Sequence, residues 1–250
     1  MKTALITGAS SGLGEELAKL LAAEGWALIL VARRVERMEK LAAGLGVPVK
    51  IIGADLGTRA GLETVFSLTA DDRVDLLVNN AGFGSYGEFT KSDPDRDLQM
   101  IDVNCKALHA LMQHFLPRMM QRDSGTVLNI ASIAGFLTGP MMATYYATKS
   151  YVLTLTKSVA GELKHAGSKV QVCAICPGPF DTEFNSVADV KFNLPGMDCK
   201  TVAEAALRGI KRKKTVIYPG AAVKLAKFGV RLAPDALVAR ICLAMQLKKQ

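Results

Sequence analysis

Histidine is scarce: His109, His114 and His165 are the three in 250 residues, each on a predicted helix without ligand-like company. That scarcity argues against imidazole relays and histidine-ligated metal centres. Acidic side chains thin out toward the C-terminus, where residues 208–250 set Asp235 alone against eleven Lys and Arg, a local +10. The whole chain totals +8, so the preceding 207 residues carry −2, and the pI of 9.3 belongs to the tail. Basicity confined to one end gives no grounds for a nucleic-acid partner. No segment approaches the ~18 uninterrupted apolar residues of a bilayer-spanning helix. A strand beginning at Lys2 leaves no room for a signal peptide, so a cytoplasmic protein is expected. The five cysteines are odd in number, which suits a reduced compartment. Cys173 and Cys176 fall in a strand-like run, where i and i+3 face opposite sides, so neither pairing nor metal binding is expected. Internal repeats and low-complexity linkers are lacking as well.

At 26.7 kDa and 50% hydrophobic, the chain suits one domain that buries about three quarters of its unfolded-chain surface. Apolar runs at 3–7, 26–32, 48–53, 74–79, 126–131, 169–176 and 215–218 read as strands. Helical patterns fill the gaps, the longest at 94–120 and 144–166. This alternation predicts an α/β fold, a doubly wound parallel sheet with helices on both faces and ligands beyond the carboxyl ends of the strands. The expected division is one domain over 1–220 with a helical extension at 221–250.

The first strand runs straight into Gly8-Ala9-Ser10-Ser11-Gly12-Leu13-Gly14, then a helix with Leu13, Leu17, Leu20 and Leu21 on one face. Strand, glycine-rich turn and helix can hold a pyrophosphate. Glycine lets the backbone approach closely, and unpaired N–H groups at the positive helix end face the anion. The next strand ends in Arg33-Arg34; Arg33 lies 19 residues after Gly14, and from Trp26 onward no acid appears before Glu36. An acid there would take the ribose 2′-hydroxyl of NAD, whereas arginine accommodates the 2′-phosphate of NADP. NADP(H) is therefore the expected cofactor.

Tyr145 and Lys149 stand four residues apart, on one helical face, with Ser132 thirteen positions upstream. A phenol titrates near ~10 in water, and a neighbouring ammonium is expected to pull it down by favouring the phenolate. A hydroxyl from another element can then hold a carbonyl oxygen against the phenol. On its own, Tyr-x-x-x-Lys reads more readily as an amphipathic helix with one buried ring and one solvated amine.

The set resembles the short-chain dehydrogenase/reductase family. The likeness runs through Thr7-Gly8-x-x-x-Gly12-x-Gly14, Asp55-Leu56, Asn79-Asn80-Ala81-Gly82, Asn104, Ser132, Tyr145-x-x-x-Lys149 and Pro177-Gly178, in the family's order and spacing. It covers the first 185 residues and implies a Rossmann-type sheet. Tyr145 would be the acid/base, and Lys149 would depress its pKa and bond the nicotinamide ribose. Ser132 would fix the substrate oxygen, and Asn104 would hold a water that replenishes the proton. The cofactor would lie on Gly8, Ser10, Ser11, Gly12, Leu13 and Gly14, with Arg33 and Arg34 at its 2′-phosphate. Asp55 would contact the adenine, and Asn80, Ala81 and Gly82 would support the sheet beside the adenosine ribose. Leu56, Pro177 and Gly178 would complete the cofactor-binding set, and Thr182 would bond the carboxamide. Tyr146 competes as a phenol, but its spacing to Lys149 and Ser132 breaks the family pattern.

In the family, an insertion like that at 183–200 forms a lid over substrate; here it carries Phe184, Val187, Phe192, Leu194 and Met197. With Phe83, Phe136, Leu137, Met141 and Met142, it points to a large apolar pocket for a hydroxysteroid-like or long-chain keto compound. The leading expectation is an oxidoreductase interconverting a ketone and a secondary alcohol. A non-catalytic dinucleotide-binding regulator, or a reductase of another carbonyl class with a membrane-surface tail, stays open. The family likeness also implies a homodimer or homotetramer through the helices at 94–120 and 144–166. Lys224, Lys227 and Arg231 share a helical face in the tail, which reads either as a docked hairpin or as a peripheral membrane contact.

Overall fold

Strands covered on both faces need no alternation of apolar and polar residues, and they read as unbroken apolar runs. In the computed structural model, which describes residues 1–178 and 197–247, all seven such runs form strands. They are β1 (Thr3–Thr7), β2 (Ala27–Ala32), β3 (Val49–Gly53), β4 (Leu76–Asn79), β5 (Thr126–Ile130), β6 (Gln171–Ile175) and β7 (Val216–Ile217). They make one parallel sheet in the order β3-β2-β1-β4-β5-β6-β7. The helices are α1 (Gly12–Ala23), α2 (Val35–Ala42), α3 (Arg59–Leu68), α4 (Pro94–Ile101), α5 (Leu108–Gln121) and α6 (Ala143–His165). After the undescribed stretch come α7 (Cys199–Lys211), α8 (Ala221–Leu232) and α9 (Asp235–Leu247).

Successive side chains of β1 serve two cores. Leu5 joins Leu77 and Val127 beneath α3, α5 and α6, where Val65, Phe115 and Val152 are buried. Ile6 joins Leu30 and Val78 beneath α1, α2 and α7, where Leu17, Met38 and Val202 are buried. The sheet is the Rossmann-type, doubly wound layer anticipated from the strand pattern.

Strand order reverses between β1 and β4, and a crevice opens where their following loops diverge. Thr7 fastens that crevice. Its hydroxyl donates to the Val78 carbonyl at 3.2 Å and accepts from the Asn80 and Ala81 N–H groups, each at 3.0 Å. Deeper in the sheet, Asn79 donates to Asn129 and Asn129 to Thr156, both at 2.9 Å, tying β4, β5 and α6 through buried amides.

One expected element is broken. The single helix anticipated over 94–120 is α4, then a π segment (Asp102–Ala107), then α5. Asp93 caps α4 by accepting from Asp95 N–H at 3.0 Å, with Pro94 at the first helical position. The π segment turns Asn104 into the interior, where it is 2% exposed.

Candidate active site

The turn after β1 is built for close approach. Gly8 and Gly12 have φ of +65° and +57°, in the left-handed region that disfavours a side chain. A Cβ on Gly8 would lie 2.8 Å from Asn80 Nδ2 and 2.9 Å from Ala81 Cα. Asn80 Nδ2 in turn donates to the carbonyls of Thr7 and Gly8, at 2.9 and 3.1 Å. Ser11, at the N-cap of α1, makes no side-chain cap bond. The helix's first N–H groups have no intrahelical partner, and with the positive end of the dipole they suit a phosphate. Arg34 reaches back from the end of β2 to donate to Ser10 Oγ at 3.3 Å and Ser11 Oγ at 3.0 Å. The residues present fit a dinucleotide whose pyrophosphate lies on this turn.

The second half of the site sits at the end of β5 and the start of α6. Ser132 opens a short 3₁₀ turn (Ile133–Phe136), its Oγ accepting from Ala134 N–H at 3.1 Å. Tyr145 hydrogen-bonds Ser132. Lys149, one helical turn on and buried, donates from Nζ to the Ile130 carbonyl at 2.8 Å and lies 5.8 Å from the Tyr145 ring centroid. Asn104 spends its side chain as a clamp. Its Oδ1 accepts from Phe83 N–H at 3.0 Å, and Nδ2 donates to Phe83 O at 2.9 Å and Thr148 Oγ1 at 3.1 Å. Gly82 has room only for hydrogen here, since a Cβ would stand 2.8 Å from Asn104 Oδ1.

The electrostatics correct one expectation. Spacing alone predicts that the ammonium lowers the phenol's pKa; in this structure Tyr145 is raised instead, chiefly by desolvation. The Ser132 hydrogen bond opposes that rise, and neighbouring Tyr146 adds to it. Lys149 moves the other way, to about 8, again through burial, with Cys105 and Cys176 as weaker opposing influences. Two groups buried in one apolar place each favour their neutral form. A phenol that keeps its proton is the form that can donate one.

A cavity of about 520 Å³ joins the two halves. Its wall includes Gly8, Ser10, Ser11, Gly12 and Leu13, then Arg33 and Arg34, then Asp55 and Leu56. It continues through Asn80, Ala81 and Gly82 to Ser132, Tyr145 and Lys149, and ends at Pro177 and Gly178. Gly14 and Asn104, expected beside them, are not on the wall. Gly14 packs on the Gly8 carbonyl, and Asn104 holds Phe83. Thr182 and residues 183–196 of the expected lid lie outside the described residues. Of the apolar side chains expected at substrate, Phe83 and Met142 line the cavity; Phe136 packs edge-on against Tyr218 instead. Among the described residues no group of His, Cys, Asp and Glu could hold a metal, and Cys173 and Cys176 are buried thiols pushed up to about 12.

Sequence reasoning missed Gln246. It is 2% exposed on α9, with Nε2 donating to Tyr146 Oη at 2.8 Å and its backbone carbonyl accepting from Tyr86 Oη at 3.2 Å. Tyr146 stands edge-on to Tyr145, ring centroids 6.1 Å apart, so α9 is fastened to the start of α6. A lone glutamine in an apolar helix carries no spacing signal that could have exposed it.

A family model described as short chain dehydrogenase matches residues 2–191. An uncharacterized oxidoreductase of Staphylococcus epidermidis is 34% identical over 190 residues, 75% of this chain and 82% of that one. A short-chain dehydrogenase from Sphingobium yanoikuyae, solved in complex with NADPH, is 34% identical with a TM-score of 0.83, covering 94% of this chain and 100% of its own. A bulky-bulky ketone specific alcohol dehydrogenase from Comamonas testosteroni is 33% identical with a TM-score of 0.80, covering 94% and 96%. A family structure from Burkholderia phymatum, 26% identical with a TM-score of 0.82 over 92% of each chain, was solved in complex with NAD.

Proposed function

The chain belongs to the short-chain dehydrogenase family of oxidoreductases, and from that premise we propose an NADP(H)-dependent enzyme interconverting a ketone and a secondary alcohol on a bulky apolar substrate. The observation that carries the reading is the convergence of Ser132, Tyr145 and Lys149 in the cavity that also holds the Gly8–Gly12 turn. When bound, the dinucleotide supplies or accepts the hydride. Ser132 and Tyr145 hold the carbonyl oxygen, and Tyr145, kept protonated by burial, gives its proton to that oxygen in the reducing direction. Lys149 would hold the nicotinamide ribose, and Asn104 keeps the Phe83–Gly82 backbone in place behind it. A non-catalytic regulator would have no use for the serine, phenol and amine together.

Arginine at the end of β2 supports NADP(H), because Arg34 sits on the serines of the phosphate turn and Arg33 lines the same wall. Fluorescence titration should find NADPH bound more tightly than NADH. Arg34→Glu should weaken NADPH by roughly ten- to a hundred-fold, the equivalent of about 1.5–3 kcal/mol for a charged hydrogen bond. Equal affinity for the two cofactors in the unaltered protein would reject the preference.

Phe83, Met142 and Tyr146 on the cavity wall support an apolar substrate, as does the bulky-ketone specificity of the Comamonas relative. A panel of ketosteroids, long-chain keto esters and sugars tests it, and comparable turnover of sugars and steroids would remove the apolar assignment. Exposed Leu98 and Ile101 on α4 and Tyr151 on α6 support assembly as a homodimer or homotetramer, which sedimentation at a monomer's mass would refute.

A further inference from the structure

The last two helices place their apolar side chains the wrong way round for a self-contained domain. Toward the protein, α8 turns the small side chains Val223, Ala226 and Val230, at i, i+3 and i+7. Outward it turns Leu225, Phe228 and Leu232, exposed by 73%, 64% and 73%. In α9 the buried stripe is Val238, Cys242 and Gln246, while Leu237, Ile241 and Met245 repeat at i, i+4 and i+8 on an exposed one. The two helices are consecutive, joined through Ala233 and Pro234. Exposed Lys224 and Lys227 border the α8 stripe and Arg240 the α9 stripe. Asp235 is the one acid of residues 208–250, against eleven basic residues.

Large apolar groups flanked by cations match a surface with an apolar interior and an anionic rim. A second copy of this chain would oppose the same cations to one another. Neither helix can cross a bilayer, since none among the described residues is long and apolar enough. At 12 and 13 residues, α8 and α9 suit lying in the interface plane. We propose that α8 and α9 dock on an anionic lipid surface, with Leu225, Phe228, Leu232, Leu237, Ile241 and Met245 dipping below the headgroups.

Flotation of the full chain with vesicles of phosphatidylcholine, alone or mixed with phosphatidylserine, tests this. Partition onto the anionic vesicles should be stronger by on the order of a hundred-fold and should weaken with salt. The double substitution Leu225→Ser, Phe228→Ser should cut it at least about ten-fold while leaving turnover of a water-soluble ketone unchanged. Lys224→Ala with Lys227→Ala should abolish much of the preference for anionic vesicles. Vesicle binding that is absent, or that survives the double serine substitution, overturns the proposal. So does a shift from oligomer to monomer in the serine variant of a protein that ignores vesicles, which assigns the face to a second copy.

Discussion

Around the sheet, the largest apolar side chains are fully enclosed: Phe115, Leu17 and Met38 have almost no exposed area. The wall the sheet turns toward the cavity mixes glycine, serine, Asp55 and two arginines with apolar Leu13, Leu56 and Phe83. In α8 and α9 the placement is reversed, with valine, cysteine and glutamine inside and leucine, phenylalanine, isoleucine and methionine outside. The sheet therefore draws its stability from its own burial at roughly 25 cal/mol per Å² of apolar surface. The last two helices leave much of that contribution unused, with their larger apolar side chains exposed. Their tie to the rest rests on contacts such as Val223 against Gly178 and Gln246 against Tyr146.

Three measurements sharpen the contrast. The largest effect belongs to the sheet's carboxyl edge. Tyr145→Phe removes the proton donor and should lower turnover by about 10²–10⁴-fold with NADPH titration unchanged. Near-normal rates in that variant would end the role assigned to Tyr145.

Lys149 gives the next effect, through pH. Its folded pKa of about 8 lies below the ordinary 10.5, so between those values the unfolded chain holds a proton that the folded chain has released. Cofactor-free stability should therefore rise with pH across that window. The rise from this group is up to about 3 kcal/mol, and below pH 8 the burial penalty is fully present. Denaturant unfolding of the native chain and Lys149→Met should show the difference between them shrinking from pH 8 toward 10.5. A difference independent of pH would show that burial does not govern this amine.

The last helix should respond least. Gln246→Leu removes the amide on Tyr146 while keeping volume, and it also removes a buried Oε1 that has no partner among the described residues. Stability should change by less than about 1 kcal/mol. KM for a bulky ketone should rise several-fold as Tyr146 loosens, with kcat nearly constant. A collapse of kcat would mean that α9 positions Tyr145 itself rather than the pocket wall.

Much of the sheet was legible because strands buried on both faces leave continuous apolar runs, and each of the seven runs is a strand within one or two residues. Gly8, Ser132, Tyr145 and Lys149 were legible because fixed chemistry needs fixed spacing. The π segment was not: the family likeness singled out Asn104, but the residues around it resemble any helix, and its clamp on Phe83 and Thr148 is a tertiary contact. The pKa directions at Tyr145 and Lys149 were illegible for a related reason: spacing reports proximity, whereas desolvation depends on what closes around both groups.

The π segment carries a consequence for the length of the shaft that α4 and α5 form. A wider turn is an α-helix holding a surplus residue, a dislocation in an otherwise regular shaft. Deleting one position from Asp102 to Ala107 would remove that surplus and let the shaft close to a regular α-helix, with α4 and α5 keeping their facing. The closed turn would no longer hold Asn104 where it bonds Phe83 and Thr148. The backbone beside Gly82 thus depends on the number of residues in this stretch as well as on their kinds.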